Sequence, residues 1–205
     1  PSSIIKKYGA DTARWFMMSD SPPHRDLEWT ESGIEGSFKF INRIWRLAYN
    51  INLKKEETSS GFKENESHFE EKLNEYINKV SHNIEKFNFN KVVANIYELT
   101  NYAQKQLEEN KVGKKLLLNF VNVYAKLIHP IIPHISEEIW KLMNNNGMVV
   151  NQEWPKVDEK QLKNAKLKVN IAVQINGKTR SILGVSKDLS KEDIQKIIYT
   201  DKKII

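Results

Sequence analysis

Apolar residues recur at every third or fourth position over four long stretches of this chain, which is the spacing of one face of an α-helix. The stretches cover residues 30–53, 67–87, 91–107 and 116–128, and polar connections separate them. The last stretch is apolar on nearly every side, as the central helix of a bundle is. Long amphipathic segments with short connections predict a mainly α fold, an antiparallel α-helical bundle over residues 30–147.

Two shorter helices are predicted before the bundle. The first covers residues 2–7 and ends at Gly9, because glycine is the favoured residue type just past a helix end. The second is mostly buried and has Asp11 in its first turn, where a carboxylate suits the helix dipole. A proline pair at 22–23 then stops this helix. We expect residues 1–29 to form a connecting region.

The pattern changes after the bundle. Residues 148–165 are loop-like and predict a linker. Residues 167–175 are apolar at every second position, as in a strand, and Asn-Gly at 176–177 supplies a tight turn into a second strand. A helix follows at 190–199 and opens on a Ser-x-x-Asp capping pattern. Residues 166–205 therefore predict a small α+β segment of ββα order, the incomplete start of a second domain.

The composition excludes several classes of protein. The 205 residues carry a formal charge of +6, a sequence pI of about 9.2 and no cysteine. A chain without cysteine has no disulfide framework and no thiolate zinc site, and it fits a reducing cytosol. No run of eighteen apolar residues occurs, so we expect no membrane span and a cytoplasmic location. The basic excess favours a polyanionic partner.

The two ends of the sequence resemble neither the start nor the end of a complete protein. The chain opens without an initiator methionine or a signal-peptide pattern, and it closes without a polar tail. We therefore expect a piece of a longer protein.

The stretch HPIIPHISEEIW, residues 129–140, places two histidines and two carboxylates around two prolines. One interpretation is a metal or acid/base site of His134 with Glu137 or Glu138, but the spacing is not that of H-E-x-x-H. The other interpretation is architectural. The first proline ends the buried helix, the second opens the next helix, and the glutamates complement its dipole. The architectural reading explains more of the residues.

A cationic face is predicted on the helix over residues 30–53. At about 100° per residue, Lys39, Arg43 and Arg46 fall on one side. The packing stripe predicted for the opposite side consists of Ile34, Phe38, Ile41, Trp45 and Ala48. The three cations have no acids interleaved one turn on, so they do not form a salt-bridge lattice. Two alternatives stay open, a solvated face and contact with phosphate groups.

Two further groups of charges also leave alternatives open. Asp11 and Arg14 are three residues apart on one helix, and a surface ion pair is favoured over an Arg14 that binds a phosphate. Lys178 and Arg180 follow the glycine turn of the predicted hairpin, where they either make the hairpin soluble or bind an anion. No nucleotide-binding glycine motif and no nucleophile beside a base occurs. We expect no catalytic, cofactor or metal site in the chain itself.

Three stretches carry a resemblance to a known family. Residues 8–45, YGADTARWFMMSDSPPHRDLEWTESGIEGSFKFINRIW, closely resemble bacterial-type leucyl-tRNA synthetases just downstream of their KMSKS loop. HPIIPHISEEIW resembles a bundle motif shared by the class I synthetases for aliphatic amino acids. Residues 169–185, VNIAVQINGKTRSILGV, are similar to the start of the small C-terminal domain of bacterial leucyl enzymes.

The resemblance implies the tRNA-binding C-terminal portion of a ligase that activates leucine with ATP and magnesium and attaches it to tRNA(Leu). It implies a stem-contact region at 1–29, an anticodon-binding-type bundle at 30–147 and the start of a tRNA-binding domain at 166–205. The implied partners are tRNA(Leu) and the remainder of the same synthetase chain, in a monomer. The family's HIGH and KMSKS motifs and its editing pocket have no counterpart in this sequence.

The family's tRNA contacts fall on the helix that matches residues 36–46. The resemblance therefore implies that Lys39 and Arg43 bind phosphate groups, and it makes Arg46, Lys178 and Arg180 further candidates for tRNA binding. Two rival hypotheses are a free-standing helical protein-interaction module and the equivalent region of a valyl- or isoleucyl-tRNA synthetase. The segment after the proline pair and the NGKTR hairpin argue against the second rival.

Overall fold

The computed structural model describes residues 2–20, 29–55, 62–158, 168–175, 178–186 and 189–200. The chain forms two compact units, Pro1–Val157 and Asp158–Ile205. None of the helices in the described ranges combines the length and the apolar character that a membrane span requires. The predicted turn at 176–177 and the proline pair at 22–23 lie outside the described residues.

The first unit is a bundle of helices, as the periodicity predicts. Its helices are α1 (Ser2–Tyr8), α2 (Ala10–Asp20), α3 (Glu31–Leu53), α4 (Lys63–Glu85), α5 (Phe89–Glu108), α6 (Lys114–Ile128) and α7 (Pro133–Leu142), followed by a 3₁₀ turn at Val149–Asn151. The predicted mainly α fold is confirmed.

Side-chain contacts give the relative directions of the long helices. The ring centroids of Phe69 on α4 and Tyr102 on α5 lie 5.5 Å apart, and Asn83 donates to Asn95 at 3.0 Å. Because the position on α5 falls as the position on α4 rises, these two helices are antiparallel. The alternation of directions predicted for the bundle is confirmed for this pair.

Helices α3 and α5 run in the same direction, as every second helix of an up-and-down bundle does. The rings of Phe40 and Tyr97 are 3.6 Å apart near the start of the contact, and the side chain of Lys54 donates to Asn110 near its end. Helix α3 therefore lies beside α5 from Phe40 to its C-terminal end.

The core of the bundle is built from aromatic and aliphatic side chains of α3 to α7. Helix α6 is its most buried member, with Leu117, Phe120, Val121, Tyr124, Ala125, Leu127 and Ile128 all buried. This distribution confirms the central position predicted for the apolar stretch that ends at Ile128. Burial of this much apolar surface is the main source of stability in such a bundle.

The local signals for the first helices act as predicted. Gly9 adopts a φ of +86° between α1 and α2, a conformation that side chains disfavour. The Thr30 side chain accepts a hydrogen bond from the Gly33 amide at 3.3 Å and so caps α3. Pro133 is the first residue of α7, which confirms the architectural role of the second proline.

The packing stripe predicted for α3 is wrong by part of a turn. Phe38 is 39% exposed and Trp45 is only partly buried. The face that packs consists of Ile34, Ser37, Phe40, Ile41, Ile44, Leu47, Ala48 and Ile51. The whole buried face is rotated toward the side that carries Arg43.

Residues 148–157, predicted as the start of a linker, pack on the bundle instead. Val149 is 4% exposed and Val157 lies against the core. The backbone amide of Val149 donates to Glu137 on α7 at 2.9 Å. A buried valine and a side-chain bond therefore hold this segment to α7.

The second unit contains strands β1 (Lys168–Ile175) and β2 (Lys178–Ser186) and helix α8 (Lys191–Thr200). The strands pair antiparallel, and Val173 and Val185 are buried. The Asp193 amide donates to Ser190 Oγ at 3.2 Å, which is the predicted cap. The predicted ββα order is confirmed.

Candidate nucleic-acid interface

The outer surface of α3 presents Lys39 and Arg46. Both residues are exposed, and neither forms a side-chain hydrogen bond or ion pair within the part of the chain that the structure describes. From residue 36 to residue 55 the sequence contains Lys39, Arg43, Arg46, Lys54 and Lys55 and no acidic residue. This segment is a local source of positive potential, which suits an anionic ligand.

Arg43 has a different environment from the other two cations on α3. Its side chain is partly buried, Nη2 donates to Asn101 Oδ1 on α5, and Nε is buried without a partner among the described residues. The guanidinium carbon lies 5.4 Å from the centroid of the Phe40 ring, within cation–π range. The rotated packing face places Arg43 at the edge of the core, so this side chain is committed to the contact between α3 and α5.

Acidic residues occur only at the start of α3. Glu31 accepts from Lys7 Nζ at 3.4 Å, and Glu35 is exposed. The neighbouring Tyr8 side chain and, after it, the Glu31 carboxylate raise the pKa of the Lys7 ammonium above its usual value. One of the two acids is thus paired with a cation from α1, which leaves the middle and end of α3 with a positive charge.

Tyr49 lies on the same exposed side of α3 and was not predicted as a site residue. It is 44% exposed and three residues beyond Arg46, so the two side chains are neighbours on the helix surface. Exposed aromatic rings beside cations are common where proteins contact nucleic acid. The available sequence signal was a large aromatic residue on the polar side of an amphipathic helix.

The two cations predicted on the hairpin belong to the second compact unit. Arg180 is exposed, and the pairing of Val173 with Ser181 and of Gln174 with Thr179 leaves Arg180 as an extra residue in β2. A β-bulge of this kind changes the direction of a side chain. Lys178 is the first residue of β2 and pairs with Ile175 through the backbone.

Arg14 on α2 binds the corner between α6 and α7. Its Nε donates to the carbonyl of Ile131 at 2.7 Å, and its Nη2 donates to the carbonyl of Pro130 at 2.9 Å. The predicted surface pair of Asp11 and Arg14 is therefore wrong, because Arg14 satisfies two backbone carbonyls left free where a helix ends.

Asp11, one turn earlier on α2, binds the other side of the same corner. Oδ2 accepts from the Ile135 amide at 2.7 Å, and Oδ1 accepts from the His134 amide at 3.4 Å. The ring nitrogen Nδ1 of His134 lies 2.7 Å from the same Oδ1. A carboxylate from α2 thus caps α7, while Ile132 at the N-cap position makes no side-chain cap bond.

The sequence predicted that Glu137 complements the dipole of α7. In the structure its carboxylate is used elsewhere. Its carboxylate accepts from the amides of Val149 at 2.9 Å and Val150 at 3.3 Å, and it lies 3.1 Å from Nε2 of His129. Glu138 is exposed. Within the described ranges, no three residues of the metal-binding types stand close enough together to hold an ion. The polar residues of this corner thus have a structural role, since their hydrogen bonds hold α7 to its neighbours.

An apolar groove runs beside α1 and α2. Its volume is about 660 Å³, and its walls include Ile4, Ala13, Met17 and Trp29, with Arg14 at one side. Met17 is 57% exposed and Trp29 is 44% exposed. Exposed apolar surface of this kind is typical of a place where another protein segment docks.

The sequence was compared with models of protein families. Residues 66–197 match the model described as the anticodon-binding domain of tRNA ligase. This match covers more than half of the chain.

The chain belongs to the family of anticodon-binding domains of tRNA ligases.

Curated relatives narrow the kind of ligase that contains such an anticodon-binding domain. The chain is 40% identical over 206 residues to the leucine–tRNA ligase of Dinoroseobacter shibae, covering 100% of the chain and 23% of that protein. It is 38% identical over 205 residues to the leucine–tRNA ligase of Zymomonas mobilis, again over 100% of the chain and 23% of the relative. This anticodon-binding domain therefore spans about a quarter of the length of these ligases.

A solved structure resembles the whole fold. The chain aligns with the leucyl-tRNA synthetase AgnB2 of Agrobacterium radiobacter K84, in a ternary complex with tRNA and LeuAMS, at a TM-score of 0.75 and 25% identity. The alignment covers 100% of this chain and 27% of that protein. The helical bundle and hairpin of the anticodon-binding domain thus have a counterpart in a synthetase that was crystallised with tRNA.

Proposed function

We propose that this chain is the tRNA-binding part of a leucine–tRNA ligase and that the outer face of α3 binds phosphate groups of tRNA(Leu). The proposal is supported above all by the acid-free segment 36–55, in which Lys39 and Arg46 are exposed and unpaired among the described residues. Cations that neutralise phosphates release counterions, so such binding weakens steeply as salt rises. The proposed role is to hold the tRNA by shape and charge.

The complete ligase would use ATP with magnesium to activate leucine, and the sites for these groups would lie in its other parts. No catalytic or cofactor role is proposed for residues of this chain. A cytoplasmic location and a monomeric state belong to the same proposal. Arg180 on the bulge of β2 is proposed as a further phosphate contact, and Lys178 as its neighbour in the hairpin.

The test is a titration of tRNA(Leu) against the 205-residue chain at several salt concentrations. The double variant Lys39→Glu/Arg46→Glu is compared with Lys86→Glu/Lys91→Glu, which makes the same charge change at exposed positions at the end of α4 and the start of α5. We expect the first variant to weaken binding about tenfold or more and to flatten the salt dependence by about two counterions. Equal effects of the two double variants would show that net charge alone acts.

We propose in addition that the apolar groove beside α1 and α2 receives another part of the complete ligase. The proposal is supported by the exposure of Met17 and Trp29 in one groove. Substitution of Met17 by Ser should leave tRNA binding by the isolated chain unchanged and should lower the stability of the complete ligase. A Met17→Ser variant that instead weakened tRNA binding by the isolated chain would favour the groove as an RNA contact.

A further inference from the structure

Helix α2 binds both the connection between α6 and α7 and the first turn of α7. Arg14 takes the carbonyls of Pro130 and Ile131, and Asp11 takes the amides of His134 and Ile135. These partners lie more than 110 residues away in the sequence, so the bonds join segments that no local structure would bring together. The Asp11 side chain is 10% exposed, which makes the carboxylate a nearly buried acceptor.

The two sets of hydrogen bonds fix the direction of α2 as well as its position. Asp11 and Arg14 are one turn apart; Arg14 binds carbonyls within the connection between α6 and α7, and Asp11 binds amides in the first turn of α7. A rotation or slide of α2 would break both sets of hydrogen bonds together.

Helix α2 also contacts the apolar groove and the first turn of α3. Ala13 and Met17 line the apolar groove, and the ring of Phe16 packs where a side chain at Gly33 of α3 would have to stand. The groove, the corner and the start of α3 are therefore linked through one short helix. Within the first compact unit, α2 thus connects the groove to the helix whose outer side carries Lys39 and Arg46.

We propose that Asp11 and Arg14 are positioning residues for leucylation. The proposal rests on the function proposed above: tRNA held on α3 reaches an active site in the part of the ligase that occupies the groove. The Asp11 and Arg14 bonds keep these two elements in a fixed relation. Misplacement of a substrate by about 1 Å is enough to lower a rate by about a hundredfold, so loss of the bonds should act on turnover.

The experiment uses the full-length ligase and measures kcat and KM for tRNA(Leu) in leucylation. Asp11→Asn keeps the shape and removes the charge, and Arg14→Lys keeps the charge and removes the planar fork. We expect each to lower kcat about tenfold or more while KM for tRNA stays within about twofold, because the cationic face is intact. The pair Lys39→Glu/Arg46→Glu should do the reverse and raise KM.

A matched control separates positioning from plain loss of stability. Tyr124→Phe removes one hydroxyl of the buried Thr100–Tyr124 pair elsewhere in the bundle. The loss of kcat in each Asp11 or Arg14 variant is compared with the loss in Tyr124→Phe, relative to the decrease of Tm that each substitution causes. If the Asp11 and Arg14 variants lose no more kcat than this control, or if they change KM alone, the positioning role is overturned. If Lys39→Glu/Arg46→Glu leaves KM unchanged, the tRNA-binding proposal fails instead. Should Asp11→Asn not fold, Arg14→Lys supplies the kcat readout by itself.

Discussion

The guanidinium group of Arg43 on α3 donates through Nη2 to the side-chain oxygen of Asn101 on α5. The same group lies over the ring of Phe40, and its Nε is buried without a partner in the described part of the chain. A cation in this environment joins two helices. Arg43 therefore differs from Lys39, which shares the helix and has an exposed side chain.

Replacement of Arg43 by Ala should lower the free energy of unfolding by about 1–3 kcal/mol, since it removes a charged hydrogen bond and the contact of the guanidinium group with the Phe40 ring. Lys39→Ala should change that free energy by less than about 0.5 kcal/mol. Urea unfolding of both variants gives the comparison. The opposite result, a stable Arg43→Ala variant whose tRNA affinity loses salt dependence, would return Arg43 to the group of phosphate ligands.

A buried pair of hydroxyl groups joins α5 to α6. Thr100 Oγ1 lies 2.6 Å from the carbonyl of Ile96 and 2.6 Å from the hydroxyl of Tyr124. The single proton of Thr100 serves the carbonyl, so Tyr124 donates to Thr100. Burial raises the pKa of Tyr124 well above its usual value of 10, against the smaller lowering effects of Thr100 and Arg43.

This pair predicts a loss of stability at alkaline pH. The folded protein holds the Tyr124 proton at a pH where the unfolded chain releases it. The contribution of Tyr124 to the free energy of unfolding is therefore complete below about pH 10 and declines as the pH rises toward the pKa of Tyr124 in the folded protein. Tyr124→Phe should lower the free energy of unfolding by about 1 kcal/mol at neutral pH and should flatten its alkaline decline. Unfolding curves from pH 7 to alkaline pH test both. If Tyr124→Phe leaves the loss of stability at alkaline pH unchanged, that loss belongs to other tyrosines. One of them is Tyr102, where burial raises the pKa to about 12.

The sequence pattern was sufficient to predict that α3 exists, but it did not identify the face of α3 that is buried. Period, cap and length all followed from local chemistry, and the Thr30 cap is present. Phe38 and Trp45 are large and apolar, so they drew the predicted stripe toward themselves. The contacts that decide burial come from other helices, and Phe40 packs on Trp15 and Tyr97 from α2 and α5. Periodicity alone contains no record of these neighbours.

The partners of Asp11 and Arg14 could not be read from the sequence for a related reason. Their spacing of three residues suggested a local pair. In the structure both bind mainly backbone groups of the α6–α7 corner, and backbone groups have no sequence signature. The hairpin was easier to predict because alternation over residues 167–175 and the following Asn-Gly are both local signals.

The ion pairs of Glu75 predict an acid-dependent loss of stability. Lys72 Nζ lies 2.7 Å and Lys79 Nζ lies 2.6 Å from its carboxylate oxygens, one turn away on either side along α4. Partial burial by itself would raise the pKa of Glu75, but the hydrogen bonds from Lys72 and Lys79 outweigh it and hold the pKa below the usual 4.5. The stabilisation by the Glu75 ion pairs is therefore complete above about pH 4.5, and it is lost as the pH falls through the lowered pKa of Glu75.

Glu75→Gln should lower the free energy of unfolding by about 0.5 kcal/mol at pH 7, a small value because the pair is partly exposed and screened. The difference from the parent chain should vanish as the pH falls below 4.5. Glu153→Gln is the control, because Glu153 and its partner Lys156 are both more than 80% exposed. A Glu75→Gln difference that persisted at pH 2 would show that shape, not charge, is responsible.

Gly33 and Gly36 provide a matched pair of glycines on one helix with opposite surroundings. A Cβ on Gly33 would lie 2.5 Å from the ring of Phe16 and 2.8 Å from Oγ1 of Thr30, whereas a Cβ on Gly36 would meet nothing within 4 Å. Alanine favours a helix over glycine by about 1 kcal/mol at either position. At Gly33 the ring of Phe16, which is 4% exposed, has little space to move.

Gly36→Ala should therefore raise the free energy of unfolding by about 0.5–1 kcal/mol. Gly33→Ala should lower it by about 1–2 kcal/mol, because overpacking outweighs the gain in helix propensity. Thermal and urea unfolding of the two variants give the signs directly. Stabilisation by both substitutions would mean that α2 moves readily away from α3, and that movement would also weaken the case for α2 as the element that fixes the groove.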